Sequence, residues 1–266
     1  MFSFNIILTE RCNAKCSHCY MSDDGYSKKL SLTKSQIDNL FEKIPADTKT
    51  IVFTGGEVFL EKDLLYYAIK KAKKVNDNIE IGVESNGIIL YNGSEDYAKK
   101  ELEELKNVGV SFIRFSDDSF HEDGGVDLNR VRALKKLESY KTPKIKFLVQ
   151  TTALAIGRAK TLEKEKQAKM NCMNSENSVE NPYLFLDICG NVFTCAWKCA
   201  PKISNIFEND FQDVIINLKK DVNKLILAGK IEEAAKLYAP SEYKENKKFL
   251  EENGQCLLCN KIFKGE

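Results

Sequence analysis

Three cysteines fall within eight positions near the start of the chain, spaced Cys12-x3-Cys16-x2-Cys19 in the stretch TERCNAKCSHCY. A structural zinc takes four protein ligands, and a four-iron cubane usually takes four thiolates. Three clustered thiolates leave one metal position open, and an open position is where a metal site does chemistry. His18 lies between Cys16 and Cys19 and reads as a loop side chain beside the site, because imidazole ligands are the exception in such clusters. Six more cysteines follow a long cysteine-free stretch: Cys172, Cys189, Cys195, Cys199, Cys256 and Cys259. Four thiolates from this group would close a second site, either a cluster or a zinc knuckle.

Three further stretches carry residues suited to a bound cofactor. FTGGEVFL offers Gly55 and Gly56, which let backbone approach a ligand closely, and Glu57, a carboxylate suited to an ammonium. Taken alone, the glycines also read as a plain turn, and Glu57 as a carboxylate at a helix N-terminus. ESNG supplies Asn86. RFSDDSFH supplies Ser116, Asp118 and His121; its serine and aspartates also read as a helix cap. His121 is either a surface histidine or an acid or base on the substrate side, since imidazole titrates in an accessible range.

The elements that position these residues alternate. Short apolar runs at 2–8, 49–53, 79–83, 110–115 and 144–151 read as strands. Amphipathic stretches at 32–44, 62–75, 94–107 and 127–140 read as helices, the first capped by Thr33 or Ser31 and the third stopped by Gly109. Each chemical motif then falls just after a strand, where α/β barrels place their sites. Strands separated by helices call for parallel βαβ units. A closed barrel takes ~250 residues, and the alternation fades near residue 157, so the expectation is an α/β fold with a partial TIM-like barrel of about six strands. Residues 1–157 form its core. Residues 158–266 bring the sixth unit and a small cysteine-rich extension, with a charged helix over 158–169, a hairpin around Gly190 and Asn191, and a helical insertion over 209–252 broken at Pro240.

The 40 basic and 39 acidic side chains nearly cancel, leaving no field to draw nucleic acid or an anionic membrane. No apolar run approaches the ~20 residues of a membrane helix. The N-terminus lacks a basic region and a cleavage site, and the cysteine count is odd. Together these favour thiolate sites in a reducing, cytoplasmic setting over a secreted disulfide framework.

In order and spacing, TERCNAKCSHCY, FTGGEVFL, ESNG and RFSDDSFH resemble the signature motifs of the radical S-adenosylmethionine (radical SAM) superfamily, over roughly residues 4–155. Val58 stands where that family often has proline, which loosens the turn but removes no ligand. The resemblance implies that Cys12, Cys16 and Cys19 hold a [4Fe-4S] cluster whose open iron is chelated by S-adenosylmethionine. Gly55, Gly56 and Glu57 would meet its methionine part, Ser116, Asp118 and Asn86 its ribose, and Tyr20 its adenine. It implies reductive cleavage of the cofactor to a 5'-deoxyadenosyl radical that takes a hydrogen atom from substrate, fed by a reductant such as flavodoxin or ferredoxin.

CGNVFTC, ISNIFEN and CLLC likewise resemble the twitch or SPASM extension of such enzymes. That implies a second [4Fe-4S] cluster on Cys172, Cys195, Cys256 and Cys259, with Cys189 or Cys199 as alternates. A closed second cluster suits oxidation of the substrate, by dehydrogenation of a small molecule or by crosslinking of a peptide. Peptide-modifying enzymes often carry a domain before the first motif, which tilts the expectation towards a small molecule or a peptide presented by another protein. A non-catalytic iron–sulfur or zinc protein would leave the diglycine and Ser116-x-Asp118 stretches unexplained.

Overall fold

A computed structural model describes residues 1–22, 30–91, 94–137, 143–170, 172 and 179–264. Four βα steps and a fifth strand open the chain. Strands β1 (Phe2–Thr9), β2 (Thr48–Gly55), β3 (Glu80–Ser85), β4 (Phe112–Ser116) and β5 (Lys144–Leu148) are linked through helices α1 (Lys34–Lys43), α2 (Lys62–Val75), α3 (Glu95–Val108), α4 (Ser119–Asp123) and α5 (Leu128–Ala133). The helices form where the spacing requires. Thr33 and Gln36 cap α1 reciprocally, and Ile37, Leu40 and Phe41 of that helix are buried. Leu65, Ala68, Ile69 and Ala72 make the buried face of α2. The stretch read as a helix over 127–140 is α5 followed by a 3₁₀ turn, Leu134–Leu137; its last three residues lie outside the described ones.

All five strands are parallel, in the order β5-β4-β3-β2-β1. A sixth parallel strand, β6 (Tyr183–Leu186), extends the sheet, and β7 (Asn191–Phe193) and β8 (Ser204–Asn205) follow it antiparallel. The sheet is open, ending at β5 on one side and β8 on the other. This is the expected α/β partial barrel, with one difference in connection. The sixth strand pairs with β1 instead of continuing past β5, and it turns at Gly190 into the expected hairpin instead of feeding a helix.

The charged stretch 158–169 is not the expected helix. It forms two 3₁₀ turns, Gly157–Thr161 and Lys164–Lys166. Its backbone groups find partners elsewhere: Arg158 N–H donates to the Cys19 carbonyl, Ala153 N–H to Lys166 and Ala168 N–H to Ala153. Tertiary pairing outweighs the weak intrinsic preference for helix. Residues 153–168 thus form a strap. The insertion is a chain of short helices, α6 (Phe211–Leu218), α7 (Asp221–Leu227), α8 (Ile231–Tyr238), α9 (Pro240–Glu245) and α10 (Lys247–Asn253). Pro240 breaks the run and opens α9 at the first-turn position that tolerates it. The chain closes with α11 (Gln255–Lys264). The sheet and its helices share one core, and Ile226, Ile231, Ala234 and Leu258 belong to a second core around the C-terminal cysteines. No described helix is long and apolar enough to cross a membrane.

Candidate active site

The motifs meet because the strands are in register. Ile6 pairs with Phe53, Ile7 with Thr54 and Thr9 with Gly55, so the loops after β1 and β2 leave the sheet side by side. Gly56 N–H donates to the Thr9 carbonyl and Glu57 N–H to the Arg11 carbonyl, both at 2.8 Å. Side chains would prevent this: a Cβ on Gly55 would lie 2.2 Å from the Thr9 carbonyl oxygen, and one on Gly56 2.2 Å from that of Arg11 and 3.0 Å from Cys12 Cβ. The glycines are needed for two backbones to touch, which is more than a turn requires.

Beyond them opens a cavity of about 780 Å³, within the range of cofactor and substrate sites. Cys12, Cys16 and Cys19 line it, and so do Gly55, Gly56, Asn86, Ser116, Asp118, His121 and Tyr20. Glu57 does not. It is fully buried beneath them, where it accepts from Phe59 N–H at 3.1 Å, Asn86 N–H at 2.8 Å and Ser85 Oγ at 2.9 Å. Burial pushes its carboxyl above the usual carboxylate range, against the pull of those bonds. Its visible work is to cap the turn Val58–Glu61 and tie the diglycine loop to the end of β3.

Asn86 also has partners within the protein: Nδ2 donates to Asn13 Oδ1 of the cysteine loop at 2.8 Å, and Oδ1 accepts from Ile88 N–H. Asp118 caps α4 and holds His121, whose ring Nδ1 stands 2.8 Å from Asp118 Oδ1. Burial works against the Asp118 carboxylate, but the His121 ring and backbone outweigh it and hold the group below its usual range. His18 stacks on Phe120 and meets His121 edge-on. Burial and the neighbouring His121 bring its imidazole down to about 4, so it is neutral at physiological pH. The Tyr20 ring packs into the C-terminal core while also reaching the cavity wall.

The cysteine loop is held from three sides. Cys19 N–H donates to the Cys16 carbonyl, and Lys15 N–H to Gly124. Arg158 donates from Nε to the Cys16 carbonyl at 2.8 Å. Gly124 is another enforced approach, since a Cβ there would stand 2.5 Å from Cys16 N and 2.9 Å from Cys16 Sγ. Burial, and then the neighbouring Cys12 and Cys19, together push the Cys16 thiol up to about 12. Three thiolates that oppose one another's ionisation, beside a cavity of this size, fit a cationic iron–sulfur group. The sequence had not singled out Arg158 or Gly124, because only the fold brings them to the loop.

Five of the six later cysteines gather in the second core. Cys199, Cys256 and Cys259 are buried, with Cys172 and Cys195 packed against them. The Cys199 thiol donates a hydrogen bond to the Cys195 sulfur, which also accepts from the backbone N–H groups of Trp197, Cys199 and Ala200; despite burial these bring the Cys195 thiol down. Lys198, at φ 54°, is the one described non-glycine residue with a positive φ, and it turns the chain between the two cysteines. Cys259 Sγ lies 3.4 Å from the Cys199 carbonyl. Cys189 is exposed at the hairpin turn and is not among the residues of the second core. Of the two alternates, Cys199 joins the set and Cys189 does not. Four cavity-lining side chains, Tyr20, Leu154, Met170 and Trp197, also belong to this core.

The profile of the radical SAM superfamily matches residues 6–167, more than half of the chain. The chain belongs to the radical SAM superfamily. Membership implies a [4Fe-4S] cluster and S-adenosylmethionine as cofactors. Among curated radical SAM relatives, GTP 3',8-cyclase of Clostridium botulinum is 31% identical over 136 residues, 47% of this chain and 40% of that protein. Molybdenum cofactor biosynthesis protein 1 of Dictyostelium discoideum is 32% identical over 122 residues, 44% of this chain and 18% of its own. The chain thus spans less than half the length of these relatives. Over the whole fold it is similar to BtrN, solved in complex with AdoMet and 2-DOIA, with a TM-score of 0.64 at 17% identity, covering 87% of this chain and 89% of that one. It is also similar to anSMEcpe with bound AdoMet, with a TM-score of 0.56 at 13% identity, covering 85% and 84%.

Proposed function

We propose that this radical SAM protein oxidises a small molecule, or one residue of a presented peptide, within the 780 Å³ cavity. Residues 158–266 would carry a second iron–sulfur centre. The observation that carries the reading is the shared wall: Tyr20, Leu154, Met170 and Trp197 separate the cavity from a core where five cysteines converge. Cys12, Cys16 and Cys19 would hold the first cluster, with S-adenosylmethionine on its open iron. Cys195, Cys256 and Cys259, with Cys172 or Cys199, would hold the second.

When bound, the first cluster and S-adenosylmethionine supply one-electron chemistry that removes a hydrogen atom from substrate, and the second centre supplies an acceptor for the further electron an oxidised product must lose. The chain's own residues do the rest. Gly55 and Gly56 leave backbone exposed to the cofactor, and Ser116 offers a hydroxyl to its nucleoside. His121, with Nδ1–H directed at Asp118 Oδ1, presents Nε2 as the acceptor for the proton that leaves with that electron. Anaerobically reconstituted protein should carry about eight irons per chain, as two cubanes. The triple variant C12A/C16A/C19A should lose half of the iron and all formation of 5'-deoxyadenosine from S-adenosylmethionine and dithionite. Cofactor cleavage that survives in this variant sinks the assignment. H121Q should keep 5'-deoxyadenosine formation and lose oxidised product.

A further inference from the structure

Arg158 ties the strap to the cysteine loop at two points. Its backbone N–H donates to the Cys19 carbonyl at 3.2 Å, and its Nε–H to the Cys16 carbonyl at 2.8 Å. Both carbonyls belong to cysteines assigned to the first cluster, yet Arg158 and Cys16 stand 142 positions apart in the chain. The side chain is half-buried in the cavity wall, whereas Lys15 and Lys169, which also line the cavity, are exposed. The strap is closed on itself by the Ala153–Lys166 and Ala168–Ala153 backbone bonds, so a built element places the guanidinium, not a free side chain.

A guanidinium keeps its charge at any pH a protein survives. In a half-buried site that charge is screened less than at the surface. The anionic groups on the same cavity wall have partners of their own: Asp118 is engaged by His121, Glu84 pairs with Arg114 at 2.8 Å, and Glu10 approaches Leu30 N–H at 3.4 Å. Glu57 is spent on three donors below the wall.

We propose that Arg158 sets the reduction potential of the cluster held by Cys12, Cys16 and Cys19 and fastens the loop that carries it. The inference rests on those cysteines holding the cluster. An external one-electron donor adds one negative charge to that group, with no bond made or broken. A fixed cation favours the more negative state and so raises the potential, as net charge and hydrogen bonding do for iron–sulfur centres generally. Arg158 touches neither substrate nor reacting atoms; it is a positioning residue.

The test is an anaerobic redox titration of the reconstituted full chain, followed by electron paramagnetic resonance, for wild type, R158Q and R158K. R158Q should move the midpoint of the first cluster to lower potential and leave the C-terminal signal where it was. R158K keeps the charge and should stay near the wild-type midpoint, while yielding iron to a chelator faster because an ammonium lacks the planar fork. A wild-type midpoint in R158Q, or an equal shift in both variants, overturns the proposal. If R158Q holds no iron, R158K decides: a cluster at the wild-type midpoint supports the electrostatic role, and equal loss of iron overturns it. A first-cluster signal that persists in C12A/C16A/C19A would instead show the cysteine assignment to be wrong.

Discussion

Glu57 has a double character. It belongs to a cofactor motif, yet its carboxylate is spent on three donors inside the protein. Glu57→Ala leaves Phe59 N–H, Asn86 N–H and Ser85 Oγ without an acceptor, at roughly 1–3 kcal/mol for each buried unsatisfied group. Denaturant unfolding of the metal-free chain should show the loss. Glu57→Gln keeps an acceptor and should cost less. Because the folded carboxyl titrates above its unfolded value, its contribution to stability is present below the ordinary carboxylate range and is lost as pH rises through the folded value. Glutamine cannot ionise, so the difference between wild type and E57Q should move in favour of glutamine from pH 5 to pH 8; a constant difference would contradict the raised carboxyl. Gly124→Ala forces a methyl into Cys16, so iron at the first site should fall while the proposed C-terminal centre and the circular dichroism hold.

Much of the element pattern could be read from sequence because it is local. The five strands and helices α1 to α3 follow from alternating apolar runs and caps such as Thr33, with boundaries shifted by only a few residues, whereas the short α4 is not among the expected helices and the helix expected over 127–140 gives way to a 3₁₀ turn after Ala133. Two further features were not legible. The strap fails as a helix because Cys19 and residues of the strap itself take its backbone bonds. The sixth strand leads into the expected hairpin, but its neighbour is fixed by contacts more than 170 positions away, as in Asn5 against Phe185. The site divides in the same way. Its cysteines and glycines announce themselves, whereas Arg158, Gly124 and the gathering of Cys199 exist only once distant elements meet. Leu184 is fully buried in β6, so Leu184→Ala should cost about 2–5 kcal/mol. Because β6 rests on β1, that variant should lower iron retention at both proposed centres, as metal analysis after gel filtration would show.

At the scale of the molecule, one cavity is bounded by both cysteine groups, the first on its wall and the second behind Tyr20, Leu154, Met170 and Trp197. A volume near 780 Å³ must take the cofactor and the group it acts on, which leaves room for a small substrate or a single side chain. Trp197→Ala should therefore admit bulkier substrates, read as a change in relative kcat/KM across a size series once a substrate is in hand.

The position of β1 in the sheet, between β2 and β6, has a thermal consequence. The strand that ends in the first cysteine loop is hydrogen-bonded directly to the strand that leads into Cys189, Cys195 and Cys199. Neither half can melt without exposing an edge of the other, so the two ends of the chain should behave as one cooperative unit. Calorimetry of the iron-loaded protein should show a single endotherm. Stripping iron from either proposed centre should lower that same endotherm, because a ligand that binds only the native state stabilises everything that unfolds with it.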